Sequence, residues 1–184
     1  MHRESEQQGQ ASSFHLHKTM SSIGYAYQGK DEKAVKAQAV GLSISTKESY
    51  EIANAIRGMN VVSAKKMLEE VLQLKTPIKY RRYIHRSGVG HRKGGYGPGR
   101  YPKNSSEEFI KLLNLLQANA KFKGLNPEKL MLKHIASHKG ADVRHSFKGA
   151  PHSTSTTHLE IVAIEQEPKQ IAPKKKGAKK EVKK

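Results

Sequence analysis

Residues 130–165 read LMLKHIASHKGADVRHSFKGAPHSTSTTHLEIVAIE. The two ends, 130–137 and 158–165, hold β-branched or long apolar residues in near alternation, the pattern of half-buried strands. The stretch between them, 138–157, has no apolar period. A structureless run of that length is unusual inside a compact domain, so it is either functional or disordered. An extended hairpin projecting from the body accounts for it.

Upstream, helical patterns supply the cover for such a sheet. Ser45 and Glu48 form a capping-box pair, Tyr50, Ile52, Ala53 and Ile56 give an apolar stripe, and Gly58 is a stop signal. A second helix is expected from near Ser63, with Ala64, Met67, Leu68, Val71, Leu72 and Leu74 on one face and Thr76-Pro77 ending it. A third is expected from Ser105, with Glu108 completing a capping box. Phe109, Leu112, Leu113, Leu116 and Ala120 form its buried face, and Gly124 closes it. Leu68, Leu72, Phe109 and Leu113 are the expected centre of the core. A brief strand is expected at Ala39–Ile44, and a short extended piece near Ile23–Tyr27. These elements predict an α+β domain: three helices on one face of a small antiparallel sheet, with a long protruding β-hairpin. Residues 1–38 form an N-terminal extension, 39–166 the body and 167–184 a lysine-rich tail of low complexity, expected to be disordered in isolation.

Charge points to function. The chain carries a net +18. Residues 77–103, PIKYRRYIHRSGVGHRKGGYGPGRYPK, hold eight Lys and Arg and no acid, and residues 169–184 add a net +7. So many uncompensated charges in one segment repel each other unless a polyanion lies alongside. Six glycines allow close backbone approach to phosphates, and four tyrosines offer stacking faces. The segment therefore reads as an RNA-binding loop. Its cations Lys79, Arg81, Arg82, Arg86, Arg92, Lys93, Arg100 and Lys103 are candidate phosphate ligands. Tyr83, Tyr96 and Tyr101 are candidate base platforms, with His85 and His91 beside them. In the hairpin, Lys139, Arg144 and Lys148 are expected to hold phosphates, and His138, His145, His152 and Phe147 to meet bases.

Other chemistries find little support. Gly88, Gly90 and Gly94 miss the dinucleotide spacing by one position, and Tyr96 stands where a phosphate-loop lysine belongs. The chain has no cysteine, which removes disulfides and thiolate chemistry. His134 and His138 would share a strand face, but no acidic residue lies near them in sequence, so no metal is expected. No apolar run approaches a membrane span, and no cofactor or catalytic group is indicated. The lysine tail fits a solubilising segment or a nuclear-import signal.

The stretches EIANAIRGMNVVSAKKMLEEVL, YRRYIHRSGVGHRKGGYGPGRYPKNSSEEFIKLL, NAKFKGLNPEKLMLKHIASHK and HLEIVAIE together resemble one family. It is the large-subunit ribosomal protein family numbered twenty-two in the universal nomenclature and seventeen in the eukaryotic one, of the archaeal or eukaryotic type. The resemblance covers 45–166 and fades toward both ends. It implies a structural protein that binds large-subunit rRNA and neighbouring ribosomal proteins, with no catalysis and no homo-oligomer. It also implies that the hairpin, 131–165, reaches the nascent-peptide exit tunnel and meets the nascent polypeptide. Its tip would comprise Asp142, Val143, Arg144, His145, Ser146 and Phe147, then Lys148, Gly149, Ala150, Pro151 and His152. Relatives carry a longer, arginine-rich tip there; this chain is shorter and richer in histidine. A cytoplasmic ribosome, with nuclear or nucleolar passage during assembly, is the implied location. An extraribosomal RNA-binding regulator or chaperone is the alternative, and an RNA-modifying enzyme a third reading.

Overall fold

A single strand, β5 (Ala150–Glu165), organises the body. In the computed structural model, which describes residues 24–29, 31, 33–84 and 97–165, it pairs antiparallel with β1 (Ala34–Leu42) on one side and β4 (Leu130–Phe147) on the other. The remaining elements are α1 (Thr46–Ile56), α2 (Val61–Leu72), the two-residue strands β2 (Ile78–Lys79) and β3 (Gly99–Arg100), and α3 (Lys103–Phe122). The α+β class with three helices against an antiparallel sheet is as the sequence indicates.

Alternation along β5 decides which residues face the helices. Leu159, Ile161 and Ala163 join Val35 and Ala37 of β1 and Leu132 and Ile135 of β4 in the core. The helices meet them with Ile52, Ile56, Leu68, Phe109, Leu113 and Leu116, all fully buried. Leu72 is only half-buried, contrary to its expected place in the core, and Val71, one position earlier, takes the buried site; Leu74, expected on the same face, lies past the end of α2 and is exposed.

Within the body, both edges of the sheet have partners, which guards against pairing with other chains. On the β1 edge, Asn119 Nδ2 and Lys123 Nζ of α3 donate to the carbonyls of Lys36 (3.0 Å) and Ala34 (2.8 Å). On the β4 edge, Gly58 N donates to Leu132 O and Leu132 N to Met59 O, both at 2.9 Å. Arg57 Nη2 adds a bond to Ile135 O at 3.0 Å.

Several element boundaries move from their expected positions for identifiable reasons. Helix α2 starts two residues early, because Asn60 Oδ1 caps it by accepting from Val62 N (2.9 Å). Helix α3 starts at Lys103, after Pro102. Ser105 does not cap it: its hydroxyl is buried and donates to Glu48 Oε2 at 3.3 Å. Strand β1 covers 34–42 rather than 39–44, since pairing with β5 outweighs the weak strand preference of its alanines. Near Ile23–Tyr27, residues 24–29 form no strand.

Across 138–157 the expected hairpin is present: β4 and β5 stay paired from Leu130↔Glu165 out to Phe147↔Ala150. Lys148 (φ 50°) and Gly149 (φ 76°) form the two-residue turn. Positive φ at both positions matches the hairpin turn whose twist suits the flanking strands. A bulge between Lys139 and Asp142 interrupts the ladder. There Gly140 is required, because a Cβ would run into the Thr156 hydroxyl and the His158 ring.

Candidate nucleic-acid interface

The basic segment is gripped where it leaves the body. Glu51 of α1 is almost fully buried, and its carboxylate accepts three consecutive backbone N–H groups: Arg81 (3.1 Å), Arg82 (2.8 Å) and Tyr83 (2.9 Å). Charge-assisted bonds of this kind are among the stronger ones in proteins. Nearby, Ile78 pairs with Arg100 and Lys79 with Gly99, so the two ends of the segment are tied together. A Cβ at Gly99 would lie 3.1 Å from Ile78 O and 3.2 Å from Pro77 Cβ, so a side chain there would be crowded.

This clamp spends the backbone donors inward and leaves cationic side chains outward. Lys79, Arg81 and Arg82 are exposed, Arg100 is half-buried, and Lys103 is exposed at the start of α3. The Arg82 guanidinium lies over the rings of Tyr50 (5.0 Å) and Tyr83 (5.6 Å), which themselves meet edge to face at 5.7 Å. A hydrogen bond with Tyr50, then the neighbouring phenols, raise the Arg82 pKa further above its ordinary value. Arg82 is thus a preoriented flat cation beside two aromatic rings.

The tyrosines divide into two kinds. Tyr83 is half-exposed and belongs to the Arg82 cluster. Tyr101 is half-buried and packs one side against the core. Tyr80 is 1% exposed, and burial followed by the charge of Glu48 pushes its phenol pKa up. His85, Arg86, His91, Arg92, Lys93 and Tyr96 lie outside the described residues.

The hairpin carries a second set of candidates. Arg144 is exposed on the distal ribbon, and Lys139 forms an exposed ion pair with Asp142 (3.3 Å). His145 and His152 are directly opposed in the ladder, with rings stacked at 6.0 Å. Val143, Ser146, Ala150 and Pro151 are exposed as well, and Lys148 and Gly149 occupy the turn. His138 sits apart from the tip, 48% exposed, on the body end of β4.

One constellation was not legible in sequence. Glu160, 2% exposed at the side chain, has its Oε1 2.7 Å from His134 Nε2 and 3.7 Å from His138 Nε2. Its Oε2 accepts the Ala26 N–H at 3.0 Å. The two histidines do therefore have an acidic neighbour, brought across the strand pair Ala136↔Glu160. Tyr27 lies against the His134 ring at 5.6 Å and hydrogen-bonds Asp31, which pairs with Lys133 (3.0 Å). Residues 25–27 thus form a strap over the sheet face away from the helices. Among the described residues no group of side chains is arranged to hold a metal ion.

A cationic segment clamped at its base and a long exposed ribbon on one α+β body define a class: basic structural proteins that work against an extended polyanion. The comparisons with known proteins are more specific. Residues 37–163 match the family model described as ribosomal protein L22p/L17e. The chain is 41% identical over 145 residues to the large ribosomal subunit protein uL22 of Ignicoccus hospitalis, covering 74% of this chain and 91% of that one. It is 36% identical to the uL22 of Methanococcus vannielii (79% and 99% covered) and 35% identical to that of Thermofilum pendens (80% and 100%). The chain belongs to the L22p/L17e family of ribosomal proteins, of archaeal type. It is a structural constituent of the large ribosomal subunit and not an enzyme.

Proposed function

We propose that the chain binds large-subunit rRNA at two places on one rigid body, and that the β4–β5 ribbon extends inward to the wall of the nascent-peptide exit tunnel. The observation that carries this reading is the Glu51 clamp. A nearly buried carboxylate accepts three successive N–H groups and fixes the direction in which Arg81 and Arg82 leave the body. A solvated surface loop has no need of such an anchor; a phosphate-binding one gains from being positioned beforehand. The ribbon supports the second half. It projects beyond the core with all its described distal side chains exposed, so its use lies with something outside the chain. In this reading rRNA and neighbouring ribosomal proteins of the cytosolic ribosome are the partners, and the nascent chain passes the tip.

Replacing Arg81, Arg82 and Arg100 with alanine tests the loop. Affinity for large-subunit RNA should fall, and the log–log salt slope should flatten by about 2, at ~0.7 per lost phosphate contact. Glu51→Gln should weaken binding with all cations still present, because it loosens the clamp. An unchanged salt slope in the triple variant would remove the loop from the RNA contact.

A further inference from the structure

The body has a second cationic surface at the far end of α3. This helix starts beside the β2–β3 base and runs 20 residues, about 30 Å. Where it ends, hydrogen bonds gather three segments. Lys123 Nζ donates to Ala34 O (2.8 Å), Glu165 N to Lys33 O (3.4 Å) and Asn126 N to Glu165 Oε1 (3.3 Å). Phe122 stands there 94% exposed. Lys33, Lys121 and Lys129 are also exposed, and among the described residues none of them forms an ion pair. Lys121 lies close enough to Lys65 to help lower that ammonium's pKa, after burial, the larger cause.

From this arrangement we propose that the α3 C-terminal end is a further RNA-binding site, in which Phe122 stacks on an unpaired base and Lys33, Lys121 and Lys129 hold flanking phosphates. The charge favours RNA over protein as the occupant. Protein–protein interfaces are depleted in lysine, whereas an exposed ring among lysines is the composition of a base-stacking platform. Nor is the apolar surface broad. Among the described residues of α3, the other exposed large apolar side chain is Leu115, seven positions away along the helix. Because Phe122 touches so little of its own fold, replacing it leaves the body intact.

The proposal rests on the chain being an rRNA-binding constituent, and the experiment separates the two. Phe122 is replaced by photoreactive p-benzoylphenylalanine in the full-length chain, which is then assembled into large subunits and irradiated. A crosslink from position 122 to RNA supports the site; a crosslink only to protein, or none, overturns it. In parallel, the free full-length chain is titrated with large-subunit RNA. Phe122→Ala should weaken binding about tenfold, and Lys33, Lys121 and Lys129→Gln together should lower the salt slope by about 2. Wild-type affinity and slope in both variants would overturn the proposal even if the Arg81, Arg82 and Arg100 variant lost binding. Loss confined to that arginine variant leaves the loop reading standing and this one refuted.

Discussion

The two halves of the β4–β5 ribbon share one backbone ladder and differ in everything else. The proximal half, Leu130–His138 against His158–Glu165, buries Leu132, Ile135, Leu159, Ile161, Val162 and Ala163. The distal half, Asp142–Phe147 against Ala150–Ser155, buries none of its described side chains. A two-stranded hairpin without a packed face is marginal in water. The proximal half is therefore part of the body's stability, and the distal half is a probe whose stability comes from its ladder, its turn and whatever it lies against. The Lys139/Asp142 bulge marks the boundary between the two.

The largest effect should come from the proximal half. Ile161 is fully buried on the helix-facing side of β5. Ile161→Ala should destabilise the body by about 2–5 kcal/mol through lost transfer energy and a residual cavity. Thermal or denaturant melting of the free protein checks this, and a change below ~1 kcal/mol would mean that β5 is not the centre of the core.

A smaller loss is expected from the opposite face of the same strand. Glu160→Ala strips the acceptor from the Ala26 N–H and from His134. Both donors remain within reach of water, so the loss should be about 0.5–1.5 kcal/mol, the net worth of a hydrogen bond. Amide exchange at Ala26 should accelerate in the same variant, since the strap loses its anchor. If melting and exchange both stay at wild-type values, the strap contributes nothing to holding the sheet.

Sequence patterning reveals the parts of this fold that repeat and hides the parts that close. The stripes Ile52–Ile56 and Phe109–Leu113–Leu116 are legible because periodicity is local. Ser45 is legible as a cap for the same reason, and its side chain does accept from Glu48 N. The two clamps are not legible. Glu51 looks like one more polar residue in the first half of a helix, and Glu160 like the outward member of an alternating strand. Each becomes a buried acceptor only when a segment distant in sequence, 30 residues away for Arg81 and 134 for Ala26, folds over it. The distal ribbon escapes the periodicity test for a different reason: with both faces exposed, no apolar alternation is required. Of the candidate interface, the cations were legible as a cluster, while the diversion of Tyr80 and Tyr101 into or against the core depends on packing that composition does not express.

At the turn the effect should be local. Gly149→Val places a β-branched residue at φ 76°, a conformation such residues strongly disfavour. Melting of the free body should move by under ~1 kcal/mol, because the distal half adds little to the core. Exchange across 142–155 should rise toward the unprotected rate, with 158–165 unchanged. A large drop in global stability would merge the two halves into one cooperative unit.

The smallest effect concerns the strap and acid. Hydrogen bonds from Tyr27 and then Lys133 hold the Asp31 carboxyl below its ordinary pKa of 3.8. A depressed carboxylate pKa contributes stability above the unfolded value and loses it as pH falls through the folded one. The Tyr27–Asp31–Lys133 contact should therefore be intact at neutral pH and release only below about pH 4. Asp31 is exposed, so the whole-protein melt should barely register the change. The sensitive readout is local: the Tyr27 ring resonances should shift along the Asp31 titration, and Asp31→Asn should abolish that step. If the Tyr27 signals follow the same acid titration in Asp31→Asn, another group controls the strap. Glu160, directly beneath Ala26, would then be the residue to replace next.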